Sequence, residues 1–512
     1  MKSPGTDREK GFFAVDPPSD GRINEEGVYG LEQGKNKVSN DSMLKDQGQK
    51  LTEAELARFS DRMRAEGLPE IAVRSFLRAV EFVAEGGETT IPESAIEPVD
   101  SLRDLASLAE FESAGRDAVS KVAVLKLNGG LGTSMGLSSA KSLLPVRPGI
   151  SFLDLIARQV LWQRKNWKVE LPLVMMNSYR TRDDSLAALL SYPDLMKQIP
   201  LDFLQHKVPR IDASTWEPVK WAADPSLEWC PPGHGDLYLA LASSGMLDTL
   251  RESGVRYVFV SNADNLGAVL NLRILGWFAE NELPFAMEVA ERTASDRKGG
   301  HLARRDGRLI LREIAQCPEA DLDAFQNIDR HHYFNTNNLW LDLDVLAELL
   351  DRSPDGISLP VMCNKKQVSP KDASSPTCFQ LETAMGSAIA SFPGAEAVVV
   401  PRTRFAPVKT TSDLLALWSD AYSLTEDSRI VPADVEASRK RVIELDKRYF
   451  GAVSDLEARF AKGAPSLAAC ERLSIKGDHR FGADVVVEGD VSLVNESEAA
   501  IEIEDGSVLR SS

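Results

Sequence analysis

The most informative stretch of this sequence is Lys121-Val-Ala-Val-Leu-Lys-Leu-Asn-Gly-Gly-Leu-Gly-Thr-Ser-Met-Gly136, which the pair Lys141-Ser142 follows. Apart from Lys126, residues 122–127 are apolar and include two β-branched valines, which predicts a buried strand. The three glycines that follow lack a Cβ and can adopt a positive φ, so backbone N–H groups can approach a phosphate closely. The stretch predicts a strand that ends in a phosphate-binding loop. The alternative is a glycine-rich turn that binds no ligand.

Two familiar phosphate-binding loops do not match this stretch. In the dinucleotide fingerprint G-x-G-x-x-G the last glycine would stand at Met135, but here it comes one residue later. A Walker loop requires glycines at the positions of Met135 and Ala140, before the Lys141-Ser142 pair. Both are therefore excluded, and the loop must be of another kind.

Size, charge and cysteine content narrow the function classes. The 512 residues suffice for two or three domains, and 43% of them are apolar, as in globular proteins. The net charge of −18 argues against nucleic acid as a main partner. The five scattered cysteines argue against a disulfide framework or a zinc site. We recognise neither a signal peptide nor an apolar run that could cross a bilayer, and so expect a cytoplasmic protein without membrane contact.

Changes in composition along the chain predict five segments. Residues 1–50 mix charges with Gly, Ser and Asn, which indicates a disordered tail. An N-terminal helical segment is predicted over 51–118, and an α/β domain with a mixed, mainly parallel sheet over 119–420. A helical connector is predicted over 421–470. Short strands and glycine turns over 471–512 indicate a small C-terminal β domain similar to a β-helix.

Strand and helix signals alternate after the glycine-rich stretch. We predict helices from Ser151 to about Arg164 and from Gly235 to Glu252, and buried strands at 171–176, 256–261 and 285–289. In an open sheet of this kind, ligands bind beyond the carboxyl ends of the strands. Residues that directly follow these strands are therefore candidates for the site.

Asp264 follows the strand predicted at 256–261. A carboxylate at this edge, beside the glycine loop, is suited to hold Mg²⁺ against phosphates, since Mg²⁺ needs only one or two protein carboxylates. The alternative is an aspartate that only caps a turn. The sequence predicts a magnesium ligand at this position.

Other polar segments also interrupt apolar runs. In Cys230-Pro-Pro-Gly-His-Gly-Asp236 an imidazole stands just before a predicted helix, where it can donate to a phosphate or sugar oxygen. Lys298-Gly-Gly300 and Phe334-Asn-Thr-Asn-Asn-Leu-Trp340 offer donors and acceptors that suit sugar hydroxyls. Taken alone, these segments could equally be turns, and the histidine could be structural.

The pattern Leu-x-Gly-Gly-x-Gly-Thr-x-x-Gly followed by a lysine resembles the loop of sugar-nucleotide pyrophosphorylases. The form in this sequence, with Val260-Ser-Asn-Ala-Asp-Asn-Leu-Gly267 and the 230–236 motif, is most similar to the eukaryotic-type UTP–glucose-1-phosphate uridylyltransferase family. The resemblance covers about 121–420. It implies a Rossmann-like (GT-A-like) nucleotidyltransferase domain, and a C-terminal left-handed β-helix through which some members form homo-oligomers. One departure is Ser138-Ser-Ala-Lys141, where the family usually has Gly-Pro-Lys.

The resemblance also implies an activity and a set of site residues. The activity is Mg²⁺-assisted formation of UDP-glucose and pyrophosphate from UTP and glucose 1-phosphate. The catalytic residues implied are Lys141 and Lys409, with Asp264 as the Mg²⁺ ligand. The nucleotide-binding residues implied are Leu127, Asn128, Gly129, Gly130, Gly132, Thr133, Met176, Gln205, Gly233, Asn262 and Asp264, with Gln205 at the uracil edge. The sugar-phosphate-binding residues implied are His234, Asn265, Lys298, Gly299, Gly300, Asn335, Asn337, Asn338 and Glu382. The alternatives are a UDP-N-acetylhexosamine or broad-specificity UDP-sugar pyrophosphorylase, or a non-catalytic UDP-sugar sensor.

Overall fold

The computed structural model describes residues 48, 50–137, 139–293, 296–370 and 372–511, so nearly all of the predicted 1–50 tail lies outside the described residues. The α-helices described are α1 (Glu53–Ala65), α2 (Glu70–Ala84), α3 (Glu112–Ala118), α4 (Phe152–Trp167), α5 (Arg182–Leu189), α6 (Leu237–Ser243), α7 (Met246–Glu252), α8 (Leu272–Glu280), α9 (Leu322–Gln326), α10 (Leu343–Asp351), α11 (Thr411–Trp418), α12 (Val435–Lys440), α13 (Lys447–Phe450) and α14 (Val453–Arg459). None of these is long and apolar enough to cross a membrane.

The strands are β1 (Glu97–Pro98), β2 (Arg103–Asp104), β3 (Val122–Asn128), β4 (Pro145–Arg147), β5 (Ile150–Ser151), β6 (Leu173–Asn177), β7 (Asp202–Leu204), β8 (Val208–Pro209), β9 (Ile211–Asp212), β10 (Trp229–Cys230), β11 (Tyr257–Asn262), β12 (Phe285–Glu291), β13 (His301–Arg305), β14 (Arg308–Arg312), β15 (Tyr333–Asp342), β16 (Met362–Gln367), β17 (Thr377–Glu382), β18 (Glu396–Val399), β19 (Tyr422–Leu424), β20 (Ile430–Pro432), β21 (Val442–Leu445), β22 (Cys470–Lys476), β23 (His479–Phe481), β24 (Val486–Val494), β25 (Ile501–Ile503) and β26 (Val508–Arg510).

The central sheet has the strand order β2-β18-β12-β15-β11-β3-β6-β7, and β1, β13 and β14 are attached beside β15. Along this order neighbouring strands run parallel, except that β15 is antiparallel to both β11 and β12. The predicted mixed, mainly parallel sheet is thus confirmed. Because β3, β6, β7 and β11 point the same way, their carboxyl ends meet at one edge.

Strand β3 lies at the centre of this edge, and all seven of its residues are buried. It pairs with β11 on one side, where Leu127 is opposite Asn262, and with β6 on the other, where Asn128 is opposite Asn177. The apolar run seen in the sequence is the one expected for a strand covered on both faces. This register brings the glycine loop level with the residues that follow β6 and β11.

Local sequence signals account for where several helices begin and end. Helix α1 starts at the predicted capping box, where Thr52 N donates to Glu55 Oε2 at 2.7 Å and Glu55 N donates to Thr52 Oγ1 at 3.3 Å. The helix predicted over 235–252 is instead two helices, α6 and α7, because Gly245 between them adopts a φ of 75°. A left-handed glycine at this position ends the first helix.

The C-terminal strands pair in parallel. Strands β21, β22, β24 and β26 form one sheet in that order, and β23 pairs with β25. The predicted helical connector, 421–470, contains the strands β19 to β21 as well as helices. The segment is thus not helical throughout, because its short β-branched run at Val442-Ile443 pairs with β22.

The C-terminal strands share an apolar core with the segment that follows the glycine loop. Phe460 stacks on Phe481 with ring centroids 4.6 Å apart, and the same buried cluster contains Met135 and Phe152. A Cβ on Gly136 would lie 2.8 Å from Ala452 Cβ, so the two parts approach closely. The C-terminal part of the chain therefore packs against the segment that follows the glycine loop.

Candidate active site

A cavity of about 280 Å³ opens at the carboxyl ends of β3, β6 and β11. Most of the predicted nucleotide-binding residues line it, together with Lys141 and His234. Its lining residues are Leu127, Asn128, Gly129, Gly130, Lys141, Ser142, Met176, Gln205, Pro231, Gly233, His234, Asn262, Ala263 and Asp264. The chain thus brings together residues that are up to 137 positions apart in the sequence (Leu127 to Asp264).

Close approach of a side chain, rather than a left-handed backbone, accounts for the glycine at 129 but not for the one at 130. A Cβ on Gly129 would lie 2.6 Å from Gln205 Oε1, whereas a Cβ on Gly130 would meet nothing within 4 Å and would point into open space. The positive φ that we expected in this loop occurs at Gly136, with a value of 78°, and not at Gly129, Gly130 or Gly132. Gly129 therefore allows the Gln205 side chain to lie directly on the loop.

Lys141 and Asp264 form an ion pair inside the cavity. Lys141 Nζ lies 2.6 Å from Asp264 Oδ2, and the two side chains are 19% and 25% exposed. The backbone holds the lysine in place, since Lys141 N donates to Gly130 O at 3.0 Å. An ammonium group and a carboxylate thus lie next to the glycine loop and remain accessible to a ligand.

The His234 imidazole is neutral and has a defined tautomer. Met385 N donates to His234 Nδ1 at 2.9 Å, so the ring proton resides on Nε2. Burial lowers the pKa of His234 from 6.5 to about 4, which keeps the ring uncharged at neutral pH. Gly233 has a φ of 84°, and a Cβ there would lie 2.3 Å from Thr383 O, so only glycine fits before the histidine. Nε2 can therefore donate one hydrogen bond to a ligand in the cavity.

Comparison with known proteins shows the family of this chain. The family model described as UTP--glucose-1-phosphate uridylyltransferase matches residues 73–488. This chain belongs to that family. A relative of that name from Hordeum vulgare is 38% identical over 458 residues, which is 89% of this chain and 94% of the relative. A relative of the same name from Saccharomyces cerevisiae is 40% identical over 395 residues, covering 76% of this chain and 77% of the relative.

Solved structures agree with this assignment. The UDP-glucose pyrophosphorylase from Leishmania major, whose open and closed structures are known, is 43% identical, covers 90% of this chain and 99% of its own, and superposes with a TM-score of 0.82. A UDP-glucose phosphorylase from Trypanosoma brucei is 44% identical with the same coverage and a TM-score of 0.79. Several variants of the Leishmania major protein were solved in complex with UDP-glucose.

The second lysine that the family resemblance implies, Lys409, does not line the cavity. Its side chain is exposed, and its backbone N donates to Asp413 Oδ2 at 2.9 Å, just before α11. The chain nearby is attached to the site, because Pro407 forms a β-bridge with Asn265, the neighbour of Asp264. The structure therefore places the segment of Lys409, but not its ammonium group, beside the cavity.

A buried ion pair that we did not predict from the sequence fixes this segment. Arg404 Nε donates to Glu288 Oε2 at 2.8 Å and Arg404 Nη2 to Glu288 Oε1 at 2.7 Å, and Glu288 is fully buried. Asn265 Nδ2 donates to Arg404 O at 3.1 Å, and Asn265 Oδ1 accepts from Ala406 N at 3.0 Å. Asn338 Nδ2 donates to Glu288 Oε2 at 3.0 Å. Asn265 and Asn338, which we expected to bind the sugar phosphate, thus support the 404–409 segment.

The remaining sugar-side segments lie next to one another. Asn335 N donates to Gly300 O at 3.0 Å, and Asn335 Nδ2 donates to Asn337 Oδ1 at 2.8 Å. Asn337 has a φ of 58°, at an irregularity in the pairing of β12 with β15. A Cβ on Gly300 would lie 2.5 Å from Glu313 Cδ, and burial raises the pKa of Glu313 to about 7. Glu313 is a candidate that we did not predict, since nothing in its own neighbourhood in the sequence distinguishes it.

Glu382 lies on the other side of the 231–236 loop. It lines a second cavity of about 470 Å³, which also borders Pro232, Gly235 and Asp236. Gly132 and Thr133 lie at the start of the short turn that follows Gly130. Gly299 and the exposed Lys298 lie just before β13. Like Glu382, these four residues do not line the 280 Å³ cavity. None of these five residues lines the cavity that holds the Lys141–Asp264 pair.

The residues present fit a magnesium ion that is held mainly by phosphates. Within the described residues no cluster of three or more His, Cys, Asp or Glu side chains could hold a metal. Asp264 is the carboxylate among the lining residues of the cavity, and a hard oxygen ligand of this kind suits Mg²⁺. Lys141 occupies one of its oxygens, so at most one protein carboxylate is available to the ion.

Lys126 lies beneath the site and gives a first prediction. Its Nζ donates to Ser261 Oγ and Ala268 O, both at 2.7 Å, and burial lowers its pKa from 10.5 to about 7. Between these two values the unfolded chain binds more protons than the native one, so stability increases with pH there. Lys126→Met should flatten the rise in the free energy of unfolding between pH 7 and 9, measured with urea, by up to about 1.4 kcal/mol per pH unit. An unchanged slope would contradict the low pKa.

Proposed function

We infer that this chain makes UDP-glucose and pyrophosphate from UTP and glucose 1-phosphate. The observation that carries the inference is the 280 Å³ cavity, in which a glycine loop, the Lys141–Asp264 pair and Gln205 converge in a member of this family. The curated relatives that carry the family name match most of this chain. Since fold alone does not specify chemistry, the arrangement of these groups is what supports the assignment.

The reaction requires no protein nucleophile. A phosphate oxygen of glucose 1-phosphate forms a bond to the α-phosphorus of UTP while the bond from that phosphorus to the β-phosphate oxygen breaks, and pyrophosphate takes the electron pair. Both reactants are anions and repel each other unless cations intervene. The protein therefore acts by positioning the phosphates and neutralising their charge. The backbone of Gly129 and Gly130 is proposed to cradle the UTP phosphates, and Lys141 to approach the reacting phosphorus.

Mg²⁺ held by Asp264 would supply further positive charge to the UTP phosphates when bound. Asp264 would orient the ion through one oxygen while its other oxygen keeps Lys141 near the loop. Lys409 is proposed as the second phosphate-contacting lysine. Its exposed side chain and the bridge between Pro407 and Asn265 support this, because a lysine has a long, flexible side chain and its segment is attached beside the cavity.

On the sugar side, His234 Nε2 is proposed to donate to the sugar phosphate or a hydroxyl. Asn335, Asn337 and the backbone of 298–300 are proposed to bind further hydroxyls, with Glu313 as an additional acceptor. Their support is that Gly300 contacts both Asn335 and Glu313. Glu382 and Asn338 would contribute indirectly, since one lies beyond the loop and the other bonds Glu288.

The low pKa of His234 gives a second prediction. Between pH 5 and 8 the rate of pyrophosphate release at low glucose 1-phosphate should show no step that depends on His234, because its ring remains neutral above about pH 4. The second ionisation of the substrate phosphate, near pH 6, should produce the same step in wild type and in His234→Gln. A step near 6.5 that is present only in the wild type would contradict the neutral imidazole.

The domain organisation and the detailed fold type are further proposals. We propose that 119–420 form a GT-A-like, Rossmann-like catalytic domain with the helices of 51–118 packed on it, and that the parallel strands after Val442 form a β-helix-like domain. The parallel pairing of β22, β24 and β26 supports the latter. Val494, Ile501 and Val508 are exposed there, which supports self-association through this part. A cytoplasmic location stays a prediction.

The proposed function is tested by measuring pyrophosphate release with UTP, Mg²⁺ and a panel of sugar 1-phosphates. Glucose 1-phosphate should give the highest kcat/KM. A preference for N-acetylglucosamine 1-phosphate, or equal use of galactose 1-phosphate, would favour a UDP-N-acetylhexosamine or broad-specificity enzyme. If calorimetry showed binding of UDP-glucose without any pyrophosphate release, the protein would be a sensor.

A further inference from the structure

One buried pair in this region has no assigned role: His206 and Asp236. Asp236 accepts two hydrogen bonds from the same residue, from His206 N at 2.6 Å and from the His206 ring at Nδ1 at 2.7 Å. The other ring nitrogen, Nε2, lies 2.9 Å from Ser243 Oγ. His206 and Asp236 are 8% and 4% exposed. The carboxylate therefore holds both the backbone and the side chain of position 206.

This double contact acts on the neighbouring residue, Gln205. Gln205 N donates to Asn177 O at 2.8 Å, and its side chain lies directly on Gly129. With the backbone N–H of 205 bonded to one partner and that of 206 to another, the peptide that carries Gln205 has little freedom to rotate. Gln205 also lines the 280 Å³ cavity, so a backbone held in this way limits the directions from which its side-chain amide can enter the cavity. An amide that is held in place can distinguish a base by its pattern of donors and acceptors.

The other face of the pair belongs to a different cavity. His206 and Asp236 line the 470 Å³ cavity, while Gln205, Gly233 and His234 line the 280 Å³ one. The pair thus lies on the side of the 470 Å³ cavity, and the hydrogen bonds described for its side chains reach neither the glycine loop nor a sugar-side segment. Any effect that it has on the reaction must pass through Gln205 or through the 231–236 loop.

The 231–236 loop has its own attachments, which do not involve the Asp236 carboxylate. Gly235 N donates to Thr383 O at 2.9 Å, Thr383 N donates to Pro232 O at 2.9 Å, and Met385 N donates to His234 Nδ1. These bonds would keep His234 in place if the carboxylate were lost. His206, in contrast, would lose two hydrogen bonds at once, one from its backbone N–H and one from its ring.

We propose that Asp236 and His206 are positioning residues for uracil recognition: they fix the backbone at Gln205 so that its amide reads the base of UTP. The proposal rests on the proposed role of Gln205 at the uracil edge. It assigns the pair to the nucleotide half of the reaction and not to the sugar half, although Asp236 is only two residues from His234 in the sequence.

The test is the steady-state kinetics of Asp236→Asn with UTP, CTP and glucose 1-phosphate. We expect the KM for UTP to rise about tenfold, the size of one lost charge-assisted hydrogen bond, and the preference for UTP over CTP in kcat/KM to fall by a similar factor. The KM for glucose 1-phosphate should change less than about twofold. His206→Gln, which keeps the backbone bond to Asp236 but alters the ring contact, should have a smaller effect in the same direction and covers the case in which Asp236→Asn does not fold.

The matched control is Asp342→Asn. Asp342 is 1% exposed, accepts from Asp344 N at 2.9 Å and pairs with Arg256, so it is another buried aspartate that holds backbone N–H groups, at the far end of β11 and β15. It should lower stability without changing the preference for UTP. Equal rises in both KM values for Asp236→Asn would show a merely structural role and overturn the proposal.

The variant Gln205→Ala distinguishes a failure of the positioning proposal from a failure of the proposed role of Gln205 in uracil recognition. If Gln205→Ala lowers the preference for UTP but Asp236→Asn does not, the positioning proposal is wrong and the role of Gln205 stands. If Gln205→Ala leaves the preference unchanged, the role of Gln205 itself is wrong. In the double variant Asp236→Asn should add little to Gln205→Ala, because the group it positions is absent.

Discussion

Replacing Lys141 with alanine is expected to lower kcat for UDP-glucose formation by about 10²–10³-fold, the effect of removing one preorganised charge or donor from a reacting centre. Lys141 is the ammonium group that the structure places on the glycine loop, 2.6 Å from Asp264. Its loss would remove a cation and also leave the Asp264 carboxylate unpaired beside the substrate phosphates. Pyrophosphate release under saturating UTP and glucose 1-phosphate measures the effect.

The folded state should survive this change, because the Lys141 side chain is partly exposed and its backbone bond to Gly130 remains. Lys121→Ala is the matched control: this lysine precedes β3, is exposed and does not line the cavity. It should keep wild-type kcat. A near wild-type kcat for Lys141→Ala would show that Lys141 does not contribute to the reaction.

The second large effect concerns the buried ion pair of Glu288 and Arg404. Glu288→Gln leaves the Arg404 guanidinium, which is 8% exposed, without its counter-charge, and such losses cost about 3–5 kcal/mol of unfolding free energy. Urea unfolding measures this cost. Because Arg404 begins the segment that leads to Lys409, the variant should also lose activity at temperatures where it is still folded.

Replacing both partners tests whether the cost comes from the unpaired charge. In Glu288→Leu with Arg404→Met no charge remains buried at this position, so part of the lost stability should return. Activity should not return with it, because Asn338 Nδ2 and Trp340 Nε1 both lose their acceptor on Glu288. A double variant that is no more stable than Glu288→Gln would show that hydrogen bonding, rather than the charge, dominates.

The parts of the fold that follow from local patterns could be predicted. The apolar run before the glycines predicts β3, and the alternation of helix and strand signals predicts the mainly parallel sheet. The antiparallel direction of β15 depends on pairing with β11 and β12, far away in the sequence, and no local signal carries it. The interruption of the predicted helix at Gly245 was missed because the apolar pattern continues through this residue. A glycine inside a helical pattern does, however, indicate a possible helix end.

The residues of the site likewise include some that the sequence predicted and some that it did not. Asp264 was predicted to lie beside the glycine loop because parallel strands end at one edge, and Lys141 was assigned to the site by resemblance; the structure places these two side chains in contact. Glu382 was assigned to the sugar side by resemblance, yet the 231–236 loop separates it from the cavity. Arg404 and Glu288 were missed because a buried ion pair depends on the fold to bring the two side chains together.

A crystal structure with UDP-glucose bound tests the central claim, that the glycine loop and Lys141 gather the phosphates. The diphosphate should lie over the backbone of Gly129 and Gly130, with Lys141 Nζ about 2.7–2.9 Å from a phosphate oxygen and the uracil next to Gln205. If the diphosphate were instead bound in the 470 Å³ cavity behind Pro232, or if Lys141 contacted only Asp264 and no phosphate, the account would be wrong.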